Sequence, residues 1–120
     1  MTIEQFRKLA LALSGAVEAA HQNHPDFRVG GRIFASLGYP DAQHGMVKLT
    51  PEWQQKFVDQ WPDTFQPCRG AWGRQGCTSV RLARVPSEVM KTALESAFAH
   101  AGTSPKARNA KRRKVANSKS

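Results

Sequence analysis

A two-layer α+β sandwich, its antiparallel sheet covered by helices on one face and wet on the other, is the fold class that the sequence predicts. Three observations predict it. Apolar residues recur at helical spacing in three segments, near each end of the first hundred residues and once in the middle. Between these segments lie short alternating stretches with β-branched and aromatic residues, bounded by glycine and proline. The alternating stretches follow one another as hairpins and the helices are few, which favours antiparallel pairing. The expected order is α-β-β-β-α-β-β-α over residues 1–101, one domain, followed by a basic tail over residues 102–120.

Each element has its own signal. Thr2 caps a first helix and Gln5, three residues on, closes a capping box, with Ile3, Phe6, Leu9, Ala10 and Leu13 on one face and Ser14-Gly15 as the stop. After "VEAAHQNHP", residues 26–37 alternate as a hairpin centred on Gly30-Gly31. "GYPDAQHG" is a polar connection and "MVKLT" the third strand. Thr50-Pro51 reads as an N-cap with proline at the first helical position, so a second helix runs from Pro51 to about Gln60, edged by Trp53, Phe57 and Trp61 and ended by Pro62. "FQPC" and "CTSVRLARV" are the last two strands, joined by the glycine-rich turn "RGAWGRQG". Ser87-Glu88 opens a third helix, whose Val89, Met90, Ala93, Leu94, Ala97, Phe98 and Ala101 form an apolar stripe that Gly102 stops.

The net charge of +9 is unevenly placed. Residues 1–101 hold 11 Lys/Arg against 9 Asp/Glu, whereas residues 102–120 hold 7 Lys/Arg, no acid and almost no apolar residue, a composition expected to be disordered in isolation. The N-terminal segment has an apolar run too short for a secretory signal, and no run of about twenty apolar residues could span a bilayer, so a cytoplasmic location is expected. Cys68 and Cys77 fit neither a zinc ribbon nor a disulfide framework and read as buried thiols.

"FRVGGRIF" poses the question of a phosphate loop. It lacks the spacing of either GxxxxGK[ST] or GxGxxG, and the residues after it alternate as a strand, so its glycines are read as a hairpin turn. A two-residue turn pairs Val29 with Arg32, Arg28 with Ile33, and Phe27 with Phe34. That places Phe27, Val29 and Phe34 with Arg32 on one face, and Arg28, Ile33 and Ala35 on the other, so the two arginines form no single clamp. By the same alternation Lys48 and Arg81 face outward, and Arg28, Lys48 and Arg81 are the expected basic cluster of the wet face. Arg69 and Arg74, flanking Trp72, form an arginine-aromatic patch that could stack on a base, against the plainer reading of Trp72 as a lid on the core.

His21 and His24 are three apart, but Pro25 biases His24 toward an extended backbone, so no metal site is expected and His24 is read as a structural residue at the hairpin entrance. With no GxSxG and scattered acids, enzymatic activity is not expected, nor is a cofactor or a small-molecule substrate.

The elements in order carry a resemblance. "HPDFRVGGRIFASLG", then "VKLTPEWQ", "GAWGRQGCTSVRL" and a final "SEVMKTALESAFA" helix make the chain similar to the MmcQ/YjbR family of small bacterial proteins, over about residues 3–101. The family-like positions are His24, Pro25, Phe27, Arg28, Val29, Gly30, Gly31, Arg32, Phe34, Leu49, Thr50, Pro51, Arg81 and Leu82. The resemblance implies an α+β fold like that of secretion chaperones and a DNA-binding role of double-wing type, with no catalytic residues to transfer.

The functional expectation is DNA binding of low sequence specificity. The candidate contacts are Arg28, Arg32, Lys48, Arg69, Arg74 and Arg81 in the folded body, and Lys106, Arg108, Lys111, Arg112, Arg113 and Lys114 in the tail. The rival is a protein-interaction or chaperone-like module, homodimeric in one form, whose tail only solubilises.

Overall fold

Thr2 caps the first helix as its sequence requires: the Thr2 hydroxyl accepts from the Gln5 N–H (3.1 Å) and the Gln5 side chain accepts from the Thr2 N–H (2.8 Å), starting helix α1 (Ile3–Leu11). The computed structural model describes residues 1–21, 24–38 and 41–102, with only the backbone of His21. The tail candidates Lys106, Arg108, Lys111, Arg112, Arg113 and Lys114 therefore lie outside the described residues.

Strand β1 (Val17–His21) follows, where no element was expected. Glu18, Ala19 and Ala20 have little strand preference of their own; the segment is extended because it pairs antiparallel with β2 (His24–Val29), Val17 opposite Arg28. The turn into β3 (Arg32–Leu37) uses Gly30 and Gly31 at φ of 59° and 79°, the positive angles of a two-residue hairpin turn. Val29 faces Arg32 and Arg28 faces Ile33 as expected, but a β-bulge between Phe27 and Arg28 then shifts the register, and Phe27 lies opposite Ala35 rather than Phe34. This corrects the expected faces. The extra residue lets both Phe34 and Ala35 sink fully into the core.

Strand β4 (His44–Lys48) leads through the Thr50 cap into α2 (Pro51–Gln60), whose first turn is held by the Trp53 N–H donating to the Thr50 hydroxyl (3.1 Å). Strand β5 (Phe65–Pro67) comes next, and then a short helix α3 (Gly70–Arg74) in place of the expected glycine turn. Gly73 explains the tight winding, because a Cβ there would lie 1.8 Å from the Cys68 carbonyl oxygen. Strand β6 (Cys77–Arg81) stops four residues short of the expected Val85, giving way to a 3₁₀ turn over Leu82–Arg84, and α4 (Ser87–Gly102) completes the fold. The observed order is thus α-β-β-β-β-α-β-α-β-α. The six strands lie in the order β1-β2-β3-β4-β6-β5, each antiparallel to its neighbours. Among the described residues no helix is long and apolar enough to cross a membrane.

One face of the sheet carries the core. Helix α4 lies across β2, β3 and β4 with α1 beside it, and α2 packs on β5. Phe34 meets Phe98 of α4 edge-on (5.4 Å between ring centres), Phe27 meets Phe6 of α1 (5.9 Å), and Phe57 of α2 meets Phe65 (5.0 Å). The buried Gln54 side-chain amide donates to the carbonyls of Gly73 (2.9 Å) and Cys77 (3.0 Å) and to the Thr78 hydroxyl (3.2 Å), tying α2 to α3 and β6.

Candidate nucleic-acid interface

Alternation, interrupted by the β2–β3 bulge, builds the open face. Side chains of Asp26, Ser36, Met46, Ser79 and Gln66 stand opposite one another in a row across five strands, and Lys48 and Cys77 stand opposite one another closer to α3. A cleft of about 650 Å³ lies over part of these rows, lined by Asp26, Ser36 and Met46 of the first and by Lys48 and Cys77 of the second. His24 and Asp26 border it from β2, Arg32 and Ile33 from the hairpin tip, and Trp72 and Gln75 from the α3 segment. A second cavity, about 270 Å³, opens at the hairpin tip between Arg28, Arg32, Lys48 and the last turn of α4, where His100 and Ala101 line it.

The cations differ in what surrounds them. Arg28 grips the buried Asp26 carboxylate with both arms of its guanidinium (Nε to Oδ1 2.8 Å, Nη2 to Oδ2 3.1 Å), and this pairing raises its pKa above the ordinary arginine value. The i, i+2 spacing of Asp26 and Arg28 on one strand was the signal for this pair. Arg32 and Lys48 form no ion pair with any described residue and line both cavities. Arg28 and Arg32 thus share the tip cavity, against the expectation that they serve separate faces. At the end of a two-strand ribbon, beside Gly31, a long arginine stem reaches round the tip whatever its starting side.

Arg81 faces the same way as Lys48 but sits at the other end of β6, opposite His44, about 13 Å along the strand. There it adds to the forces that hold the Asp41 carboxyl below its usual range, after the hydrogen bonds from His44 (2.7 Å) and the Gln43 N–H (2.9 Å). The expected cluster of Arg28, Lys48 and Arg81 is therefore replaced by a corner of Arg32 and Lys48, because one member is held by Asp26 and another stands beside Asp41. Arg69 and Arg74 are exposed at the two ends of α3 and line neither cavity. Trp72 is 65% exposed at the cleft wall, so it is no lid on the core.

Two further features escaped the sequence reading. The His24 ring occupies the space beside Gly38, where a Cβ would come within 2.6 Å of its Nδ1. Cys68 and Cys77, both buried and unbridged, stand opposite each other and line the cleft. The neighbouring Cys68 thiol, and then the Lys48 charge, lower the Cys77 pKa to about 7, while the neighbouring Cys77 and burial push Cys68 up.

The architecture is shared with a solved protein. The crystal structure of Deinococcus radiodurans protein DR2400, described by the domain DUF419, is similar with a TM-score of 0.75, covering 96% of this chain and 88% of that one at 19% identity, a level that speaks for the fold alone. No curated protein matches the sequence. The YjbR family model matches residues 11–100, from the end of α1 to the last turn of α4, and so takes in the hairpin, the bulge, the α3 segment and the whole open face. On that match, across three-quarters of its length, the chain belongs to the YjbR family.

Proposed function

We propose that the protein binds DNA with little sequence preference, the Arg32–Lys48 corner orienting the nucleic acid and the basic segment after Gly102 holding its backbone. The observation that carries this reading is where α4 ends. Its last residues, His100 and Ala101, line the same cavity as Arg28, Arg32 and Lys48, so α4 ends at the cationic corner, and the sequence that follows it holds seven Lys/Arg over residues 103–120. Cations joined in this way act on neighbouring phosphates, and the release of counterions supplies affinity without reading bases. Asp26, the carboxylate bordering the larger cleft, is compensated by Arg28, so a phosphate there meets no bare negative charge. Trp72 at the opposite wall offers a stacking surface to an unpaired base. This reading requires no catalytic step and no cofactor.

The test is a titration of labelled duplex with the full-length protein at several salt concentrations. Five or six tail contacts together with Arg32 and Lys48 predict a slope of log affinity against log salt of about −6.3 to −7.2. Arg32→Gln with Lys48→Gln should reduce its magnitude by about 1.8, for two lost phosphate contacts. If that pair of changes leaves affinity and slope untouched, the folded body does not read DNA.

A second reading, a protein-interaction module, is favoured by one observation. A groove of about 250 Å³ between α2 and α4 is lined by Trp53, Phe57, Trp61 and Val89, with Trp53 42% exposed. It predicts that Trp53→Ala leaves DNA binding unchanged and removes a protein partner.

A further inference from the structure

The ladder between β5 and β6 does not stop at Pro67. Pro67 faces Thr78, and the next step brings Cys68 opposite Cys77, where the Cys68 N–H donates to the Cys77 carbonyl at 2.9 Å. Cys77 in turn faces Lys48 on its other side, so Lys48, Cys77 and Cys68 form one row across three strands. Directly opposed residues in a hydrogen-bonded antiparallel pair have Cα atoms about 5.5 Å apart, inside the range a disulfide spans. Both sulfur-bearing residues line the open-face cleft, which gives a small reactant a way in. Zinc needs more ligands than this pair provides, and among the described residues no group of three or more His, Cys, Asp or Glu is placed to hold a metal.

We propose that Cys68 and Cys77 are a reversible dithiol–disulfide pair, modified through the cleft by low-molecular-weight disulfides of the glutathione type. The Cys77 thiolate, favoured by the Lys48 ammonium, attacks one sulfur of the small disulfide. Its S–S bond breaks and one small thiolate leaves, taking up a proton from solvent. Cys68 then gives its proton to solvent and its thiolate attacks the Cys77 sulfur of the mixed disulfide, expelling the second small thiol. The protein loses two electrons and two protons and the small disulfide gains both. Cys77 is the attacking residue because it stands directly opposite the Lys48 ammonium, whose charge favours its thiolate, and Cys68, on the far side of Cys77 from that charge, is the resolving residue. The Gly73 backbone, pressed against the Cys68 carbonyl, keeps Cys68 in line with Cys77.

The experiment incubates full-length protein with oxidised glutathione near neutral pH, quenches with an alkylating agent and reads intact mass. The expected end state is a monomer lighter by two hydrogen atoms, carrying no glutathione and no alkyl group, and restored to two alkyl groups by reductant. Cys68→Ser should stop at one glutathione adduct on Cys77, and Lys48→Gln should slow the loss of free thiols several-fold. A wild-type protein that keeps both thiols, retains a stable glutathione adduct, or forms disulfide-linked dimers instead overturns the proposal. The wild-type reading stands even if a variant fails to fold.

Discussion

Ile33 and Phe34 are adjacent in β3 and do different work. Phe34 is fully buried beneath α4, while Ile33 is half-buried at the border of the open cleft. The same contrast holds for the whole sheet. The covered face is aromatic and aliphatic, and its buried Thr78 hydroxyl has partners in the Gly76 carbonyl (2.8 Å) and the Gln54 amide. The open face is a largely polar row that carries the Arg28–Asp26 ion pair, the Arg32–Lys48 corner, which makes no ion pair among the described residues, and two facing cysteines. Stability is concentrated on one side, which leaves the other free to carry groups chosen for what they bind or react with.

The largest expected effect tests that division directly. Phe34→Ala should cost about 3–5 kcal/mol in urea unfolding, through the cavity left under Phe98. Ile33→Ala should cost only about 1 kcal/mol, since a half-exposed side chain removes little area from water. Equal losses would show that the open face is as structural as the covered one. Gln54→Ala comes next, at about 1–3 kcal/mol, because the buried carbonyls of Gly73 and Cys77 lose a donor. A change below a few tenths would mean that water replaces the amide and that α2 is not held by it.

Within the open face the comparison is between its two ends. Arg81→Gln should leave the salt dependence of DNA binding within error of the wild type, whereas Arg32→Gln with Lys48→Gln changes it. A shift for Arg81→Gln as large as for that pair would restore the three-residue cluster expected from alternation. The smallest effect concerns Asp41. Its folded carboxyl is held below the ordinary value near 3.8 by the His44 hydrogen bond, so the stability it adds is present above that value and is lost as pH falls through the folded one. Thermal melts of the wild type and Asp41→Asn should differ slightly near neutral pH and converge on acidification. Divergence toward low pH would reverse the assignment.

The capping box at Thr2, the Thr50-Pro51 helix start, the Gly30-Gly31 turn and the α4 stripe depend on interactions within a few residues, and they stand where the sequence placed them. The first strand and the β2–β3 bulge were invisible for the complementary reason. Val17–His21 has a partner but little propensity, and the bulge arises because Phe34 and Ala35 both gain from burial under α4, fifty residues and more away in the chain.

For the site, local alternation sufficed to assign Lys48 and Arg81 to the outward face, since the period of a strand is fixed by its backbone. Alternation is blind to distance along a strand and to neighbours brought by other elements. It took folding to remove Arg28 into Asp26, to set Arg81 beside Asp41, to bring the end of α4 to Arg32 and Lys48, and to turn two cysteines nine positions apart into facing partners. Composition and period were enough for the class of fold and the whereabouts of charge; which charges meet, and which cysteines face each other, depended on the register of the strands and the packing of the helices on them.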